Sequence, residues 1–206
     1  MDDTIRQRIS RIYAAIGAIE ETDPQKLKAT VIQTDKIHAV IQDFRGGFSD
    51  HELSNQAHTV IHNIANLRDH LRRWVAQNGQ DVDKVDQTVD NCLDLQIMQD
   101  LSDNDKHGYP PRNSGRSGKC PQLIKINRVM CLQTQAKKGS MIAMTIGPGG
   151  VPKFIGDGSA KAVVTGDVVD EAKNRIGDLY EITSNAVEAW ERLLVEFGLV
   201  TVSSGT

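Results

Sequence analysis

Aromatic residues make up only 4% of this 206-residue chain, so any core must be built from isoleucine, leucine, valine and alanine. Cysteine is scarce too. Cys92, Cys120 and Cys131 are odd in number and none is spaced as CxxC, which argues against a disulfide framework or a structural zinc and for a reducing compartment. Neither sign of charge dominates: a net charge of −3 excludes wholesale coating of nucleic acid but leaves room for a local basic groove. No apolar run approaches the length of a membrane span, and "MDDTIRQRIS" has acids where a signal peptide needs bases. A cytoplasmic protein without a membrane partner is expected.

Catalytic motifs are also missing. There is no GxSxG, no HExxH and no cysteine beside a histidine. The glycines of "TIGPGGVPKFIGDG" are not followed by Lys-Ser or Lys-Thr, and they separate strand-like segments, so hairpin turns explain them. No cofactor is expected.

What is present is helical period. Ile5, Ile9, Ile12, Ile16 and Ile19 form one stripe. Asp23 and Pro24 suit the start of a second helix, with Ile37, Val40, Ile41 and Phe44 as its apolar face. A third helix opens at Ser49 or Asp50 and carries Ala57, Val60, Ile64, Leu67, Leu71 and Trp74. A fourth carries Val85, Val89, Cys92 or Leu93, Ile97 and Leu101. Four one-sided helices on short loops predict a bundle over residues 1–108. Residues 109–121, rich in glycine, proline and base, read as a basic flexible loop. Beyond it, "LIKINRVMCLQTQ", "SMIAMTIG", "VPKFIG" and "AKAVVTG" alternate between turns, and a last helix resumes near Ile176 and ends at Gly198. The expected fold is therefore α+β: an N-terminal four-helix bundle, then over 122–206 a small antiparallel sheet with a C-terminal helix. "DVVDEAKNRI" fits either that helix or a final strand.

Three polar clusters could carry chemistry. Asp100, Asp103 or Asn104, and His107 share a face of the fourth helix. His58 and His62 lie four apart on the third, a spacing that puts two imidazoles about 6 Å apart and can hold a metal. The pair sits roughly 200° around from Val60, where a solvated face is the plain expectation. A metal there needs Asp69, or acids of the fourth helix, to face it. Arg68, Arg72 and Arg73, with Lys106, Tyr109, Arg112, Arg116 and Lys119, form two basic runs around one ring and predict a local nucleic-acid-binding surface. Dipole compensation and a solvated loop are the bland account of the same charges.

"LRDHLRRW", followed about thirty residues later by "QDLSDNDKHG", resembles a group of bacterial helical proteins of unassigned function with an Asp…Asp-x-x-Lys-His motif. Here that motif is Asp100, Asp103, Lys106 and His107, with Asp69 upstream. "KHGY" also resembles the His-x-Tyr end of the HEPN superfamily of helical bundles, many of them RNases. The family's arginine has no counterpart: Ser102 stands five positions before His107, and no arginine lies within seven residues upstream. The resemblance implies a non-catalytic HEPN-like helical protein that binds protein or nucleic acid in bacterial defence or stress, with an RNA or protein partner or as a homodimer. Two alternatives accompany it. One is a metal-independent RNase using His107, Asp100, Asp69 and Arg68, with an arginine of the third helix as its cation. The other is a metal-binding bundle centred on His58 and His62.

Overall fold

The computed structural model describes residues 3–109 and 115–200. Helix α1, Asp3–Ile19, follows its expected stripe, with Ile5, Ile9, Ile12 and Ile19 all buried. The segment expected as a second helix departs from expectation. Asp23 and Pro24 do cap and open a helical turn, Pro24–Leu27, where Asp23 accepts from the backbone N–H of Gln25, but the helix stops there. Thr30–Gln33 (β2) and His38–Ile41 (β3) then pair as an antiparallel hairpin closed by Thr34. The reason is composition. Thr30, Val31, Ile32, Thr34, Ile37, Val40 and Ile41 are β-branched, stiff at χ1 and better suited to a pleated strand than to a helix.

Helix α2, Asp50–Gln77, is the longest element, and Ser49 and Glu52 close it with a reciprocal capping box. The expected fourth helix is two helices, α3 (Asp83–Asp90) and α4 (Leu93–His107), because Cys92 takes an extended conformation between them. The ambiguity between Cys92 and Leu93 in the stripe marks that break. Gln96 covers it by donating its side-chain amide to the carbonyls of Val89 and Asp90, two acceptors left over at the end of α3.

The C-terminal half supplies the strands as expected: β4 (Gln122–Gln133), β5 (Ile142–Ile146), β6 (Pro152–Gly156) and β7 (Ser159–Val169). The undecided stretch is the end of β7, a turn, and β8 (Arg175–Asp178). Helix α5, Leu179–Glu196, starts behind Asp178, which caps the N–H of Tyr180. In the main sheet β7 is central and antiparallel to β4 on one edge. The other edge is shared by β8 and the two-residue strand β1, Glu20–Glu21. β2–β3 and β5–β6 are separate two-stranded hairpins.

The helices that pack together are α1, α2, α4 and α5, so the C-terminal helix joins those of the N-terminal half. One hydrophobic cluster runs from Ile5 through Ile64 and Met98 to Val168 and Trp190. Trp190 locks α5 to α2 by donating its indole N–H to the Ile64 carbonyl at 3.1 Å. Helix α2 is flanked in this way by α1, α4, α5 and the sheet. That arrangement positions the site. No helix among the described residues is long and apolar enough to cross a membrane.

Candidate metal centre

A histidine opposite the apolar stripe of an isolated amphipathic helix would face water. On α2 it faces α4. His58 and His62 are half-buried, their rings tilted by 37° with centroids 6.2 Å apart. The side of α4 opposite them presents Ser102 and Asp105, which share a face because they are three apart. His62 Nδ1 lies 2.8 Å from the Ser102 hydroxyl oxygen, and its Nε2 lies 2.8 Å from Asp105 Oδ2. Asp105 Oδ1 lies 3.6 Å from His58 Nδ1, too long for a hydrogen bond. Among the described residues His58 Nδ1 is enclosed and has no hydrogen-bond partner.

One ligand atom from each of His58, His62 and Asp105 falls within 4.8 Å of the other two. Bonds of about 2.0–2.1 Å in a tetrahedral centre put its donors roughly 3.3 Å apart. The 2.8 and 3.6 Å separations, which run to the two different oxygens of Asp105, bracket that value. Ser102 adds a support. Its hydroxyl, almost fully buried, donates to Nδ1 when Nε2–H donates to Asp105. Turned about, it accepts from Nδ1–H and frees the Nε2 lone pair for a cation, the outer-shell contact that ligating histidines require.

The acids named from sequence lie elsewhere. Asp69 is exposed. Asp100 is buried and spends its carboxylate on residues 116 and 117, inside the segment expected as a flexible loop. It accepts from the Arg116 N–H at 2.6 Å, the Ser117 N–H at 2.8 Å and the Ser117 hydroxyl at 2.5 Å. His107 is the exposed last residue of α4, and its side chain makes no hydrogen bond or ion pair among the described residues. No hydrogen bond or ion pair joins these three side chains or Arg68 to one another among the described residues.

The basic residues are largely engaged as well. Arg68 and Arg72 both hold Asp86 of α3, and Arg116 pairs with Asp90 at 2.6 Å. Lys106 donates to Asn66 at 3.0 Å, and exposed Lys119 lies in the field of Asp170. Tyr109 has acids for neighbours: partial burial, then Glu171 and Asp170, raise its phenol. Arg73 is exposed near His70, and Arg112 lies outside the described residues.

The Asp86 clamp carries a prediction. Burial pushes its carboxyl up, but the hydrogen bonds from Arg68 and Arg72 outweigh burial and hold it below its ordinary value of 3.8. A carboxyl depressed by folding contributes stability above its unfolded value and loses it as pH falls through the lowered one. Asp86→Asn should therefore lower the melting temperature at neutral pH and flatten its decline below about pH 4. Melting curves from about pH 6 to about pH 2 check this; parallel declines in both proteins would remove the clamp from the account.

Sequence reading missed Asp105 and the supporting role of Ser102. The available signal was their three-residue spacing beside a helix bearing an i,i+4 histidine pair. No family model, curated protein or solved structure matches this chain.

Proposed function

We propose that the protein binds one first-row divalent metal ion, of the zinc class, through His58, His62 and Asp105. The observation that carries this reading is the His58 Nδ1 atom. An enclosed ring nitrogen without a partner, facing a carboxylate oxygen 3.6 Å away, is a group that a cation held between the two would satisfy. Two imidazoles and one carboxylate form a donor set suited to zinc and its neighbours, and three protein ligands keep a position for water. Asp105 is the most exposed of the three, at 43%, so that position opens toward solvent. A metal held in this way lowers the pKa of bound water and polarises an oxygen placed on it, the chemistry of metal-assisted hydrolysis.

Titration of metal-free protein with Co²⁺ tests the reading. The expected result is a saturable visible absorption of the kind tetrahedral Co²⁺ gives, with one ion per chain and displacement by Zn²⁺. Absence of both the absorption and any calorimetric heat up to about 1 mM metal, a binding energy below about 4 kcal/mol, would overturn it.

A further inference from the structure

Arg128 sits on β4 between the exposed residues Asn127 and Val129, so the alternation of the strand turns it inward, and it is only 8% exposed. A buried guanidinium needs compensation by a carboxylate or by acceptors for its five N–H groups. Arg128 has neither: among the described residues its side chain forms no ion pair and no hydrogen bond. Its neighbours are the face of the Phe48 ring, 5.4 Å from Cζ, and at longer range Glu21. Glu21 is already engaged by Lys26 at 2.9 Å. Burial draws the guanidinium below its usual range, and Glu21 opposes that only in part.

The surroundings hold this cation in place. Gly46 has φ +64°, and a Cβ there would stand 2.7 Å from Arg128 Nη1, so the loop backbone closes directly onto the guanidinium. Phe48 supplies an aromatic face, and Arg45 and Lys26 are further cations nearby, each on its own carboxylate. None of the Arg128 nitrogens is fully enclosed, so a guanidinium fork without a protein partner stands within reach of solvent at the end of a largely buried side chain, where an oxyanion can take its charge-assisted N–H bonds.

We propose that Arg128 anchors an oxyanion-binding site between the Gly46–Phe48 loop and the Glu21–Lys26 pair, taking the phosphate or carboxylate group of a small anionic ligand. The site is independent of His58, His62 and Asp105 and does not rest on metal binding.

Thermal melts of the full chain at constant ionic strength, with inorganic phosphate in one arm and acetate in the other, test it. One anion or both should raise the melting temperature saturably, by about 5–10 °C at a hundredfold excess over its dissociation constant. The arm that responds identifies the oxyanion. Arg128→Met should keep or raise the melting temperature in anion-free buffer, because it replaces a largely buried side chain whose charge has no protein partner by an apolar one, and should abolish the anion-dependent rise. Arg128→Lys retains the charge without the fork and should weaken binding about tenfold or more, which keeps the test decisive if the Met variant does not fold. Two outcomes overturn the proposal: no saturable rise in the wild type with either anion, or an undiminished rise in the variants.

Discussion

His62→Ala should lose at least about a hundredfold in affinity for Zn²⁺ or Co²⁺, and His58→Ala should lose a similar factor, since each removes one of three ligands. Without metal the two variants should part company. His62 holds Ser102 and Asp105 at 2.8 Å each, and Ser102 is 1% exposed. Removing the ring leaves the Ser102 hydroxyl and one side of the carboxylate unsatisfied, at a cost of about 1–3 kcal/mol, or several degrees of melting temperature in a chain of this size. His58 Nδ1 makes no hydrogen bond, so truncating His58 discards an enclosed polar atom that was contributing nothing, and should cost less than about 1 kcal/mol. Asp105→Asn preserves size and an acceptor for His62 but withdraws the charge, so it should weaken the metal while leaving the apo-protein close to wild type. Isothermal titration beside metal-free melts separates these outcomes. Equal metal affinity in wild type and all three variants would reduce the cluster to an ordinary His62–Asp105 hydrogen bond.

How much of this was legible in the sequence follows from the range of the interactions. Stripes that repeat within one element predicted α1, α2, the strands of the C-terminal half and α5, because burial of one face is a local pattern. The hairpin β2–β3 was misread for a physical reason. Ile37, Val40, Ile41 and Phe44 fall at the helical intervals of three, four and seven, yet Ile37, Val40 and Ile41 are exposed rather than packed against a core. Their β-branched neighbours, not their spacing, held the information.

The candidate centre was half legible. An i,i+4 pair of histidines can be seen from sequence, and so can the requirement for an acid on the fourth helix. That Asp105, and not Asp69 or Asp100, is the acid depends on how two helices rotate against each other over 43 residues of separation, which no local period encodes. His107 and Tyr109 drew notice through their spacing and their place behind a run of aspartates. The fold leaves that end of α4 exposed, and the His107 side chain forms no hydrogen bond or ion pair among the described residues.

The second large effect belongs to Asp100. Asp100→Ala should destabilise the protein by about 3 kcal/mol, roughly 6–12 °C in melting temperature, while leaving metal affinity within a few-fold of wild type. The carboxylate is 4% exposed and accepts three hydrogen bonds from Arg116 and Ser117, so its loss strands two backbone donors and a hydroxyl in a buried site. Nothing else can move in to take them, because the chain is seated directly on the group: at Gly115, φ +73°, an added Cβ would stand 2.4 Å from the Asp100 carboxyl carbon. Gly115→Ala should for that reason share much of the effect. Asp100→Asn should restore little, since its amide N–H₂ would face a backbone N–H where an oxygen is needed. The metal ligands should not respond, because Asp100 and Ser102, two apart on α4, point roughly 200° away from each other, one toward the loop and the other toward His62. If instead Asp100→Ala abolished metal binding at a temperature where the protein stays folded, Asp100 would belong to the site, and the division of α4 into an anchoring face and a ligating face would be lost.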